Sequence, residues 1–318
     1  MVFENYLKSF GLEIAYNDLL ANVTDPLSKI ANVIDWEKFR AILETPYSNK
    51  NGKGGRPNFD VIVMLKILVL EEWFSLSDYA AEREIHDRLS FIHFLGNPES
   101  LPDAHTIWDF RERLVKHNLI DAIWTELQRQ INAAGFTVKK GIMQDASFIE
   151  ADPGHKPTSY PREEQAKTRR SRDGTWAKKG NKSHFGYKMH TQEDVDSQII
   201  RKVVTTTASV HDSQVDLSEE GKVIYRDRGY QGAKCKGYNG TMKRGARNHP
   251  ITIKDILRNR RISKKRSLVE RPYAVMKRIF KGGRVLVTTV ERVSIKNMIL
   301  CFCYNLMQLN TLREKQNC

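Results

Sequence analysis

The sequence reads as an α/β protein in which an all-helical segment precedes a mixed sheet flanked by helices. Three observations lead there. Apolar residues recur at helical spacing through the first 135 residues. After Gly135 the pattern turns to stretches rich in β-formers, and residues 184–190 alternate strictly. Helical spacing then returns over residues 253–313. A sheet with helices on its faces follows from that order.

Residues 25–43 carry Leu27, Ile30, Val33, Ile34, Phe39, Ile42 and Leu43 on one stripe. Asp25 and Pro26 suit the N-cap and the first helical position. Residues 49–57 form a Gly/Asn/Lys loop, and a second helix runs over 59–74. Shorter helices are expected over 75–84, 87–95, 105–116 and 119–134, the third capped by Asp103 or Thr106. Residues 1–135 thus form a helical N-terminal domain that admits a helix-turn-helix and DNA binding; short helices joined by turns are also common without either.

Residues 136–318 form the second domain. A strand over 136–149 leads through Asp145. Residues 154–183 are basic and rich in Gly, Pro and Ser, as surface loops are. In the strand 184–190, Phe185, Tyr187 and Met189 point one way, and His184, Gly186, Lys188 and His190 the other, onto a polar face. A turn over 193–197 and the β-branched run 199–208 complete a hairpin. A short helix is expected after His211, where residues 215–222 allow barely two turns. The compact strand Val223-Ile224-Tyr225 then runs into Arg226-Asp227-Arg228-Gly229-Tyr230. The helical C-terminus is interrupted by a β-type stretch over 284–290.

The net charge is +14. Such a field favours polyanions, nucleic acid first and anionic membrane second. Lys and Arg crowd residues 162–188, and again 254–284, where only Asp255 and Glu270 oppose them. Clustering of this kind suits phosphate binding better than a merely solvated surface. The apolar run over 61–70 is broken by Lys66 and is too short for a bilayer. No basic stretch followed by an apolar core marks a secretory signal. Cys235, Cys301, Cys303 and Cys318 form no CxxC pair, which argues against a zinc site or a disulfide framework. A cytoplasmic, nucleoid-associated protein is expected. No Gly-rich loop matches a nucleotide-binding pattern, so no ATP is expected.

Metal-assisted phosphoryl transfer needs acids that converge on hard cations. Asp145 follows the apolar pair Ile142-Met143, and Asp227 follows Val223-Ile224-Tyr225. Glu270 shares a helical face with Arg266, Lys277 and Ser263. Pro272 implies that this helix kinks or restarts near Glu270. Each acid has a bland alternative: a turn residue for Asp145 and Asp227, a surface ion pair for Glu270. Asp212 competes with Asp227, but His211-Asp212-Ser213 reads better as a helix cap. Asp152, Asp194 and Asp196 look like loop acids.

Five segments in order carry a resemblance. They are Gln144-Asp-Ala-Ser-Phe-Ile-Glu-Ala151, His184-Phe-Gly-Tyr-Lys188, Ala208-Ser-Val-His-Asp-Ser213, Tyr225-Arg-Asp-Arg-Gly-Tyr-Gln-Gly232 and Arg266-Ser-Leu-Val-Glu270. They resemble the motifs of prokaryotic DDE insertion-sequence transposases, most of all the insertion-sequence-five group. Residues 55–110 also resemble that family's helical domain. The resemblance implies an RNase H-like catalytic core. It implies a two-metal site of Mg²⁺ or Mn²⁺ held by Asp145, Asp227 and Glu270. It further implies cleavage at transposon ends, strand transfer into target DNA, and a homodimer or higher assembly on DNA. Two departures stand out: Ser263 occupies a position where the family often has Tyr, and the segment before Asp227 is short.

The DNA-contacting candidates are Arg266, Lys277, Lys188, Arg228, Lys265 and Trp176. Trp176 could stack on an unpaired base or pack locally. Two other functions remain open from sequence: an inactive or repurposed transposase acting as a DNA-binding protein, and an RNase H-like nuclease without strand joining.

Overall fold

The computed structural model describes residues 25–47, 57–154, 171–247 and 249–316. All but the last residue of the loop expected over 49–57, and most of the basic loop after Gly154, lie outside the described residues. The chain divides into two compact units, one of residues 1–135 with 305–318 and one of residues 136–304. The end of the chain is thus grouped with the helical unit, whereas the sequence placed it in the second domain.

In the helical unit, Asp25 caps α1 (Pro26–Ala31) by accepting the Leu27 N–H at 2.9 Å, and Pro26 takes the first turn. The single helix expected over 25–43 is broken, because Asp35 caps a fresh 3-10 turn, Trp36–Phe39, that runs into α2 (Arg40–Leu43). The nearly all-buried α3 (Val61–Phe74) starts on the Asp60 cap. It is followed by α4 (Asp78–Asp87), α5 (Leu89–Leu95), α6 (Ala104–Lys116) and α7 (Ile120–Ala133). Asp103 caps α6 through the Thr106 N–H at 2.7 Å. The buried Arg111 ties α6 to Glu71 of α3 at 2.5 Å and to Asp78 of α4 at 2.6 Å. No helix among the described residues is long and apolar enough to cross a membrane.

The second unit is built on a six-stranded sheet: β1 (Ile142–Glu150), β2 (Thr175–Lys179), β3 (Lys182–Asp194), β4 (Ile200–Thr207), β5 (Val223–Arg226) and β6 (Tyr238–Thr241). The order is β2-β3-β1-β5-β6, with β4 also paired to β3. β1, β3 and β4 form an antiparallel meander, while β5 and β6 run parallel to β1. Three helices follow: α8 (Ile253–Arg266), α9 (Glu270–Arg278) and α10 (Val290–Gln316).

Four expectations are corrected. β2 lies inside the stretch read as a loop. β3 extends to Asp194, so Glu193 and Asp194 are strand residues rather than turn residues. The expected polar face of β3 is covered: His190 is fully buried and Lys188 nearly so. The helix after His211 is only a 3-10 turn, Asp212–Gln214. Buried polar side chains hold the segment that follows it, as described below.

Candidate active site

The site begins with two strands. β1 and β5 pair in parallel, Ile142 beside Ile224 and Met143 beside Tyr225. The ladder ends there; carried two residues further, that register would set Asp145 opposite Asp227, whose charge acts on the Asp145 carboxyl. Side chains alternate across a strand, so both carboxylates share the face of Met143 and Tyr225. That face is covered by the 3-10 turn Ser267–Val269 between α8 and α9, whose Val269 packs against Met143.

The strands are locked one residue before each aspartate. The fully buried Arg226 donates from Nε to Gln144 Oε1 at 2.8 Å, from Nη1 to the Lys234 carbonyl at 2.8 Å, and from Nη2 to Asp216 Oδ1 at 2.5 Å. Gln144 in turn donates to the Val215 carbonyl at 2.7 Å and accepts the Leu217 N–H at 3.3 Å. These bonds satisfy the backbone of the short segment before Asp227 and stand in for the helical bonds it lacks. Asp227 itself caps the turn Arg228–Tyr230, accepting the Gly229 N–H at 2.8 Å.

Asp145 is three-quarters covered, and burial pushes its carboxyl up to about 6. The Arg266 guanidinium, 3.4 Å from Oδ2, opposes that rise, whereas the nearby charge of Asp227 adds to it. On the other side, the Tyr273 hydroxyl donates to the Asp145 carbonyl at 2.9 Å and meets Thr191 Oγ1 at 2.7 Å. Thr191 also donates to Glu193 Oε1 at 2.9 Å. Glu193 is wholly buried, and burial together with the charge of Asp145 lifts its carboxyl well above the usual range. Sequence reasoning missed Gln144, Thr191, Glu193, Arg226 and Tyr273. The alternation of β3, had it been followed past His190, would have put Thr191 and Glu193 on the face of Tyr187 and Met189, but their place beside Asp145 comes from the β1–β3 register.

Glu270 opens α9, so the restart expected from Pro272 is found there. It lies four residues after Arg266 and three before Tyr273, both of which touch Asp145. The 3-10 turn Ser267–Val269 interrupts the helix between Arg266 and Glu270, so α-helical spacing relates Glu270 only to Tyr273 within α9. Its side chain is exposed. Among the described residues no three acidic, His or Cys side chains stand close enough together to form a ready-made cation cage. The structure thus brings Asp227 within electrostatic reach of Asp145 and does not join Glu270 to them in a three-acid cluster among the described residues.

The cationic candidates differ in placement. Lys265 donates to Tyr225 Oη at 2.8 Å and lies over its ring. Arg228 and Lys277 are exposed, and Trp176 is 56% exposed on β2. Lys188 is engaged inside the sheet, where Nζ donates to the Val210 carbonyl at 2.8 Å and to Asp212 at 2.9 Å. That ion pair also occupies Asp212, the rival of Asp227. Three buried polar atoms at the site lack a hydrogen-bond partner among the described residues: Glu193 Oε2, Tyr230 Oη and Arg266 Nε. The donor chemistry fits a hard divalent cation, since Asp145 and Asp227 offer carboxylate oxygens and Asp145 is buried with less positive charge than would ionise it easily.

Two neighbouring aspartates, Asp145 within β1 and Asp227 just after the parallel β5, together with the basic helix α8, form an arrangement that suits an enzyme of phosphodiesters. Residues 138–306 match the family model described as Transposase DDE domain, and residues 16–113 match the one described as Transposase domain (DUF772). The chain belongs to the DDE transposase family. It is a DNA transposase, an enzyme of mobile DNA whose family works with divalent metal. No solved structure matches the chain.

Proposed function

We propose that Asp145, Asp227 and Glu270 are the catalytic carboxylates and that together they hold two Mg²⁺ or Mn²⁺ ions. The observation that supports this reading is the parallel pairing of β1 and β5 up to Met143 and Tyr225, two residues before Asp145 and Asp227, together with the charge of Asp227 acting on Asp145. We read the fold as RNase H-like, supported by three antiparallel strands, β4-β3-β1, continued by parallel β5 and β6.

The bound cations would activate the attacking oxygen and stabilise the leaving one. The chain's own residues do the rest. Asp145 would hold a cation as its carboxylate, and Arg266 lies 3.4 Å from its Oδ2. Tyr273 fixes the backbone beneath it. Gln144 and Arg226 set the separation of the two aspartates. Glu270, first in its helix, closes on the pair from the helix side. Lys265, Arg228 and Lys277 grip phosphates, and Trp176 offers its face to a base. Lys188 acts one step back, by holding Asp212.

The reaction is cleavage at the transposon ends, then attack of the freed 3′-hydroxyl on target DNA, performed by a homodimer or larger assembly on paired ends. The five ordered motifs favour the insertion-sequence-five group. A cytoplasmic protein beside the nucleoid follows from that substrate.

The test is Asp145→Asn on end-containing duplexes with Mg²⁺. Cleavage and the joining of pre-cleaved ends should both fall by about 10³-fold or more, with DNA affinity kept. Near-normal cleavage by this variant would overturn the assignment. Cleavage by the unaltered chain without joining would make it a nuclease.

A further inference from the structure

We infer that the β2–β3 hairpin is a strand clamp: Lys179 and Lys182 grip DNA phosphates on one flank of the scissile position, and Trp176 packs on a base there. The inference rests on the reading of Asp145 as the catalytic centre and adds an element to it.

The hairpin is tight. Lys179 pairs with Lys182 across a turn whose Gly180 adopts φ +60°, which glycine takes without strain. Trp176 pairs with Phe185, their rings 5.2 Å apart. Phe185 is buried, so it backs Trp176 from the sheet side while the indole keeps 56% of its surface open. An aromatic ring braced from behind and open in front is what base stacking requires.

The lysines are not scattered. The charge of Lys179 reaches Asp145, and those of Lys179 and Lys182 both reach Lys277. Lys182 Nζ stands 4.0 Å from Glu150 Oε1, at the end of the strand that carries Asp145. His184 lies 3.4 Å from the same oxygen. Three lysines thus gather near the end of β1, with Glu150 beside Lys182 and Lys277 and with Asp145 within reach of Lys179. Such a gathering is self-repelling until an anion enters. A DNA strand that passes Asp145 supplies anions at regular steps.

The spacing gives the reach. Glu150 is five residues beyond Asp145, about 16 Å along the strand. On one strand of a duplex, phosphates recur about every 3.4 Å of helix axis. The clamp therefore takes phosphates up to about five nucleotides from the scissile one. Arg258, Arg261 and Lys265 of α8 lie toward the β5–β6 edge instead, where Arg258 donates to the Asn239 and Thr241 carbonyls. The acid pair stands between these two basic groups, so the scissile phosphate lies within a held strand rather than at its end.

The experiment measures binding of the full chain, in chelator without added cation, to a duplex from one end of its element. Single neutral methylphosphonates are walked along one strand. The unaltered chain should lose several-fold in affinity at positions within about five nucleotides on one flank. In the Lys179→Ala, Lys182→Ala double variant those position-specific losses should vanish. The slope of log affinity against log salt should shrink by about two contacts' worth, near 1.8. Trp176→Ala should weaken binding while leaving the salt slope unchanged. A double variant that keeps the position-specific losses, or weakens every position alike, would overturn the clamp. No cleavage enters the readout, so failure of the Asp145 assignment would appear separately, as cleavage by Asp145→Asn.

Discussion

Asp145 sits between two demands. As a proposed metal ligand it would have to be ionised, yet the fold buries it beside a second acid and lifts its carboxyl from 3.8 to about 6. A carboxyl raised in the folded state is most favourable to folding below its unfolded value. That contribution is lost as pH rises from about 4 through 6. The difference of about two pH units corresponds to about 3 kcal/mol. Asp145→Asn should therefore raise the melting temperature of the metal-free protein at pH 8, and the gain should shrink toward pH 4. A gain that does not change with pH would place the effect elsewhere. At this scale the sequence singled out Asp145 and Asp227 because each follows a short apolar run, although Asp145 lies inside β1 rather than at its end and only Asp227 follows directly on its strand. It was silent on Arg226 and Gln144. Their roles depend on which strands become neighbours, and no local pattern carries that.

At the scale of elements, the lock between β1 and β5 invites a direct test. Arg226→Met leaves Asp216, Gln144 and the Lys234 carbonyl without their shared donor in a buried place. It should cost about 3–5 kcal/mol in urea unfolding. A loss under about 1 kcal/mol would mean that the lock is dispensable. Legibility varied for physical reasons. The helices of residues 25–135 were readable because caps and apolar stripes act locally, as at Asp25, Asp60 and Asp103. β2 was hidden because Lys178 and Lys179 are exposed and its neighbourhood is polar. β6, Tyr-Asn-Gly-Thr, has little strand preference of its own, and parallel pairing with β5 holds it in place. Its Gly240 permits that pairing, since a Cβ there would meet the Ile224 carbonyl oxygen at 2.5 Å. The turn at 212–214 replaced the expected helix because Gln144, from another strand, takes the backbone groups of Val215 and Leu217. His190 and Lys188 looked solvent-facing from alternation alone, but the segment that carries Val210 and Asp212 covers them.

At the scale of the whole molecule, the net charge of +14 and its two basic stretches pointed to nucleic acid before any motif did. Composition could say nothing of how the chain divides. Residues 305–318 are grouped with the helical unit, although 169 residues of the other unit separate them from Gly135. Lys29 of α1 pairs with Glu314 at 3.0 Å, and Leu306 and Leu309 are buried. The exposed ion pair contributes little, and the buried leucines contribute more. That grouping sets an order of biosynthesis. The helical unit is the first to leave the ribosome, yet it cannot complete its packing until the final turns of α10 have emerged. A chain stopped after Tyr304 should carry residues 25–135 that protease cuts faster than in the full chain. Every earlier stop, such as a frameshift within the gene, would likewise release an unfinished helical unit.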